Sequence, residues 1–181
     1  MARFTPEELE AARDRVVPDV VAEGLRVLFC GINPGLMTAA TGHHFARPGN
    51  RFWPVLHRSG FTPRLLKPSE QQELLSYGLG ITNVVARASA RADELSAEEY
   101  REGGRLLAAK VTRLRPRRLA VVGVTAYRAA FDDRKARVGP QARMIGDTHV
   151  WVLPNPSGLN AHWTLETMAQ EFGRLREAAG D

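Results

Sequence analysis

Cysteine is nearly absent: Cys30 stands alone in 181 residues. No internal disulfide can form, nor a thiolate cluster for zinc or iron–sulfur. Cys30 ends an apolar run and is expected to be a small buried hydrophobe at the end of a strand. Lysine is confined to positions 67, 110 and 135. No GxxxxGK[ST] pattern occurs, and the Gly31–Gly35 turn lacks the lysine of a phosphate-cradling loop. His43 and His44 are neighbours, which cannot easily share one ion, and no carboxylate or thiolate follows in ligand spacing. Neither a metal nor another cofactor is expected. No stretch reaches the roughly 18 apolar residues that cross a bilayer. The leading Met1-Ala-Arg-Phe-Thr-Pro6 lacks an apolar run of leader length. A cytoplasmic chain without membrane partners is expected, and a monomer, since nothing suggests a zipper.

What is present fits one globular domain spanning 1–181, with hydrophobic residues making up 44% of the chain. The net charge of +5 rests mainly on arginine. Arg47, Arg51, Arg58 and Arg64 crowd into one quarter of the chain, a balance that permits phosphate binding without requiring it. The basic stretch 113–118 reads equally well as a solvated helix end.

Thr5, Pro6 and Glu8 spell a capping box that opens a first helix, expected to serve packing alone. Leu25–Cys30 reads as a buried strand breaking into the Gly31-Ile-Asn-Pro-Gly35 turn. A loop is expected from Thr38 to Gly49, then a helix capped by Asn50 through about Arg58, and another from Ser69 closed by Gly78. Strands follow at Gly80–Val85, Leu119–Gly123 and Val150–Leu153, with a long helix opened by Ser96 and ended by Pro116 between the first two. Residues 125–131 suggest a short helix and 132–148 a polar loop or hairpin. Leu165, Met168, Phe172 and Leu175 mark the core face of a last helix. Strands alternating with helices predict an α/β fold with a mainly parallel sheet. In such a sheet the strand C-termini share one edge, where ligands bind. Gly31–Gly35, Thr82–Asn83 and Asn155–Leu159 each follow a strand, so they are expected to meet in one cleft.

Three segments carry chemistry. Asn33 places an amide on a turn fixed by Pro34, either to hold a water or a base edge, or to bond its own turn. Leu159, near the tip of Asn155-Pro-Ser-Gly-Leu-Asn160, is either a wedge for a base stack or a staple under the next helix. Phe45 is either a stacking platform or part of the core.

In combination, Gly31-Ile-Asn-Pro-Gly-Leu36, Gly42-His-His-Phe45, Pro48-Gly-Asn-Arg-Phe-Trp53, Thr82-Asn83 and Asn155-Pro-Ser-Gly-Leu159 resemble the mismatch-specific uracil/thymine DNA glycosylases, within the uracil-DNA glycosylase superfamily. The resemblance runs from about residue 25 to the last helix. It implies a three-layer α/β/α fold and base-excision repair on double-stranded DNA, with uracil, and thymine or ethenocytosine as further candidates, flipped from a mismatch with guanine. Asn33 matches the water-positioning asparagine, Phe45 the aromatic that stacks on the flipped base, and Leu159 the wedge. Gly31, Ile32 and Asn83 would line the base pocket, with Met37 and Thr38 near the methyl position of thymine. Asn155, Ser157, Gly158 and Asn160 would accompany the wedge. Asn160 and Ala161 depart from the family pattern, which bears on preference for the opposite base.

Sugar hydrolases usually supply two carboxylates for an oxocarbenium-like transition state. A neutral amide has no useful proton affinity and can only orient water. The base is therefore expected to leave largely as an anion stabilised by pocket N–H groups. Asp93 is the acid that would reach the same edge, or else a solvated loop carboxylate ahead of the Ser96 cap. The rival reading is a mismatch-binding or nucleotide-binding module that performs no cleavage.

Overall fold

The computed structural model describes residues 3–180. Met1, Ala2 and Asp181, which bound the expected domain and begin the segment searched for a leader, lie outside the described residues. Thr5 and Glu8 cap helix α1 (Pro6–Ala11) reciprocally, with Thr5 Oγ1 accepting from Glu8 N at 3.1 Å and Glu8 Oε2 accepting from Thr5 N at 2.8 Å. Five strands follow along the chain, β1 (Val27–Gly31), β2 (Leu79–Asn83), β3 (Arg118–Val122), β4 (Gly139–Ile145) and β5 (Thr148–Leu153). They form one sheet in the order β2-β1-β3-β5-β4. Every pairing is parallel except β4 with β5, so the stretch expected as a loop or hairpin supplies an edge strand.

Strand alternation divides the core into two faces. Val27 and Phe29 of β1, Ala120 and Val122 of β3, and Trp151 and Leu153 of β5 point to one side. There they meet helix α3 (Phe52–Arg58) through Phe52, Val55 and Leu56, and helix α6 (Leu165–Ala179) through Met168, Phe172 and Leu175. Leu28, Cys30, Leu119, Val121, Val150 and Val152 point to the other side, against Leu107 and Val111 of α4 (Ala97–Leu114) and Tyr127 of α5 (Val124–Phe131). The result is a three-layer α/β/α fold. Phe29 makes edge contacts with Phe52 and Phe61 at 5.4 and 5.3 Å, and its loss to alanine is expected to cost ~3–5 kcal/mol.

Gly103 and Gly104 do not interrupt α4. A Cβ on Gly103 would lie 2.3 Å from Val84 O, and one on Gly104 2.2 Å from Ala130 O. The pair lets the helix backbone approach Val84, just after β2, and α5, and that close packing offsets the low helix propensity of glycine. Several boundaries differ from expectation: β2 ends at Asn83 rather than Val85, and α3 follows Arg51, which makes no side-chain cap, rather than opening on Asn50. Residues 36–41 form helix α2 (Leu36–Thr41), ended by Gly42 at φ 76°, where a loop was expected from Thr38. The helix expected to open at Ser69 is a 3-10 segment, Pro68–Tyr77, that starts after Lys67 and closes on Gly78 at φ 73°.

Candidate active site

Strand order places the C-terminus of β1 between those of β2 and β3, which the chain reaches by crossovers in opposite directions. At that switch point an α/β sheet opens a crevice. A cavity of about 650 Å³ lies there, lined by Ile32 and Asn33 after β1, Asn83 at the end of β2, Val122 of β3 and Asn155 after β5. Its volume falls in the range of small-ligand sites. The three segments expected to converge do so.

The turn after β1 is tied to the segment after β2. Val84 N donates to Gly31 O at 2.9 Å, Val85 N to Ile32 O at 2.9 Å and Ser89 N to Pro34 O at 3.1 Å. Asn33 Nδ2 donates to Arg87 O at 3.0 Å and to Ser89 Oγ at 2.8 Å. The Ser89 hydroxyl proton is committed to Arg91 O at 2.8 Å, so both partners of Nδ2 are acceptors. Only one orientation of the amide satisfies them. It leaves Oδ1 without a protein donor among the described residues, on a side chain that lines the cavity.

Phe45 sits at φ 53°, a conformation that disfavours a bulky residue, and stacks on Phe52 with ring centroids 4.0 Å apart. Local strain of about 1–3 kcal/mol at such a position persists only where the surroundings impose it. His44 supplies the constraint. Its backbone N–H donates to Gln71 Oε1 at 2.8 Å, its carbonyl accepts from Trp53 Nε1 at 3.0 Å, and its ring Nε2 lies 2.9 Å from Pro18 O. Burial holds the His44 imidazole below its ordinary value of 6.5, so the neutral ring is favoured. Gly31, expected to line the pocket, is not among the lining residues but lies directly behind two that are, Phe45 and Asn83. A Cβ there would fall 2.7 Å from Asn83 Oδ1 and 3.3 Å from the Phe45 ring. Asn83 itself makes no side-chain hydrogen bond among the described residues, which leaves its amide free to pair within the cavity.

Met37 and Thr38 project from α2 into the same cavity. Thr38 is buried, and its hydroxyl accepts from Ala46 N at 3.4 Å. Across the opening, Asn155 Oδ1 accepts from Ser157 N at 3.0 Å and Ser157 Oγ from Leu159 N at 3.2 Å. Asn160 Nδ2 closes the turn on Asn155 O at 3.0 Å. This local bonding presents Leu159 with 77% of its surface exposed. A staple under the next helix would bury it. Gly158 passes so close to Gly49 that a Cβ would stand 2.7 Å from Gly49 O.

Among the described residues no carboxylate lines the cavity, whereas Arg47 and Arg91 do. Of the four clustered arginines, Arg58 pairs with Glu166 at 2.6 Å and Arg64 with Glu70 and Glu73 at 2.9 and 2.5 Å. Arg51 bonds backbone carbonyls, and Arg47 makes no ion pair among the described residues. Asp93 stands outside the lining, 74% exposed, with Oδ1 3.1 Å from Arg91 Nε. Cys30 is fully buried, and burial pushes its thiol up. No helix among the described residues is long and apolar enough to cross a membrane.

Sequence reading missed Ser89, Arg91 and the part played by His44, whereas Arg47 belongs to the arginine cluster it singled out. It also missed Leu9, on the helix expected only to pack, which reaches the cavity. Ser89 follows β2 by six residues and matches no motif, so only the fold reveals its place. The sequence model of the uracil DNA glycosylase superfamily matches residues 18–178 of the chain.

Proposed function

The chain belongs to the uracil DNA glycosylase superfamily, which makes it a DNA glycosylase, a hydrolase of uracil repair, and from that premise we propose that it flips uracil out of a G·U mismatch and hydrolyses the N-glycosidic bond to leave an abasic site. The observation that carries this reading is the oriented amide of Asn33 in a cavity that no carboxylate lines among the described residues. Oδ1 is available to accept a hydrogen bond from water and aim its oxygen at C1′ of an extruded nucleotide. The glycosidic bond breaks with its electron pair leaving on the base. Water oxygen then bonds to the cationic sugar carbon, and its proton passes to solvent or to the departed base.

Asn33 cannot remove that proton early, since an amide is no base near neutral pH. The reaction therefore depends on the leaving group. Phe45 would hold the base by stacking, and the free amide of Asn83 would meet its edge. Arg47, which makes no ion pair among the described residues, supplies positive charge beside a base departing as an anion, and Arg91 at the rim would face the DNA backbone. Thr38 and Met37 lie where bulk decides whether thymine or ethenocytosine enters alongside uracil. Leu159 would fill the gap left in the stack. Mismatched bases are cheaper to extrude than paired ones, which is the physical basis of the preference. A single subunit contains every group named.

Single-turnover cleavage of a labelled duplex carrying one G·U pair, read as strand breaks after alkali, tests the proposal. Wild type should cut, and Asn33→Ala should slow the reaction by at least about tenfold, equivalent to about 1.4 kcal/mol of transition-state stabilisation. Binding of the mismatch by folded protein without any alkali-labile product would overturn it and leave a binding module instead.

A further inference from the structure

Arg51 has a guanidinium with no carboxylate partner among the described residues. Its Nη1 donates to Trp163 O at 2.7 Å, and its Nη2 to Ser157 O at 2.7 Å and Asn160 O at 2.9 Å. The backbone N–H of Arg51 donates to Pro156 O at 2.9 Å. Four carbonyls of one eight-residue stretch therefore converge on a single side chain and its amide. They bracket Leu159, whose own side chain is 77% exposed and takes no support from the core. Arg51 Nε is buried without a hydrogen-bond partner among the described residues, an unfavourable arrangement that the grip on the loop must outweigh.

The backbone of Arg51 directly follows Asn50, which lines the other wall of the cavity. It precedes α3, whose Phe52 carries the stacked ring of Phe45, and Asn50 Oδ1 accepts from Phe52 N at 2.9 Å. One residue thus joins the wall that would receive the base to the loop that would replace it. A planar fork spans several carbonyls in fixed directions, and a lysine ammonium, a point charge on a flexible stem, does not.

We propose that Arg51 is the positioning residue of the Leu159 loop, holding the wedge at a fixed height above the base pocket so that extrusion and insertion occur together. The inference rests on the base-flipping reading above. Misplacement of a reacting element by about an ångström is enough to slow an enzyme a hundredfold. Loss of the grip should therefore be felt in flipping, while the cavity that performs the chemistry stays intact.

The test is a double-variant cycle on the full chain with Arg51→Ala, Arg51→Lys, Leu159→Ala and the Arg51→Ala/Leu159→Ala pair. Two readouts are taken on a G·U duplex: single-turnover cleavage, and the fluorescence of 2-aminopurine placed beside the uracil, which rises on unstacking and needs no bond to break. Arg51→Ala and Leu159→Ala should each reduce both signals by about tenfold, and the pair by no more than about twofold beyond the weaker single variant. Arg51→Lys, which keeps the charge and the stem, should melt near wild type and still fail to restore either signal. Losses that multiply in the pair, or full rescue by lysine, overturn the inference. If wild type unstacks the base without cleaving, the excision reading fails and the fluorescence cycle still decides the role of Arg51. If wild type does neither, the inference falls too.

Discussion

Ser89 dictates which way the amide of Asn33 faces. With its own proton donated to Arg91 O at 2.8 Å, its oxygen can only accept from Asn33 Nδ2, also at 2.8 Å. Ser89 is 1% exposed and touches no site that a substrate would occupy, so it acts through Asn33. Ser89→Ala removes one of two acceptors that orient the amide, and the carbonyl of Arg87 remains. A net hydrogen bond of about 1 kcal/mol corresponds to roughly a fivefold slower single-turnover cleavage. Thermal stability should fall only modestly, and binding of the uncleaved mismatch should hold. An unchanged rate would show that Arg87 O suffices.

Gly31→Ala tests the support behind Asn83 and Phe45. The added methyl would meet the Asn83 carboxamide at 2.7 Å and the Phe45 ring at 3.3 Å. Both are side chains at the cavity, so the fold can give while the pocket narrows. The variant should melt within a few degrees of wild type yet lose at least about tenfold in cleavage, because pocket contacts orient the base for departure. A large drop in melting temperature with residual activity would instead assign Gly31 to strand packing.

Much of this arrangement was legible from local chemistry. Caps written in side chains, such as Thr5 with Glu8 and Ser96 with Glu99, fell where expected because each satisfies its own backbone donors within four residues. The convergence of Asn33, Asn83 and Asn155 followed from parallel topology alone. The helix at Leu36–Thr41 was hidden by the glycine, histidine and proline that follow it. The edge strand Gly139–Ile145, the first arm of a hairpin with β5, was legible only as one of two options, loop or hairpin, because it is mostly exposed and shows no apolar alternation. Nor does sequence spacing reveal that Arg51 grips a loop more than a hundred residues away, since a carbonyl partner has no signature in residue type.

His44 makes stability depend on pH in a defined window. Its folded-state value lies below the ordinary 6.5, so the unfolded chain binds the proton more readily. The contribution is fully present above about 6.5 and is lost as pH falls through the lowered folded value. Glu70 and Glu99, held down to about 2 chiefly by Arg64 and Arg87, lose theirs only as pH falls below 4.5. Melting temperature should therefore begin to fall just below pH 6.5, and His44→Gln should flatten that first limb while leaving the acid limb. Because His44 anchors Phe45, cleavage should weaken over the same window. An identical profile in the variant would move the effect to another group.

Arg91 and Asp93 form an exposed pair at the cavity rim with opposite expected consequences. Their side chains are 75% and 74% exposed, and an ion pair so solvated contributes little to stability. Arg91 lines the cavity and Asp93 does not. A carboxylate that faces bulk water outside the lining is poorly placed to act on a base held within the cavity. Asp93→Ala should change single-turnover cleavage by less than about twofold, the scale of a lost surface pair. It should tighten DNA slightly by releasing the charge of Arg91. Arg91→Ala should weaken binding to matched and mismatched duplex alike and lower the slope of log affinity against log salt by about one, as expected for one lost phosphate contact. A tenfold loss of cleavage in Asp93→Ala with unchanged affinity would instead give the carboxylate a share in the chemistry, and Asn33 would no longer orient the water alone.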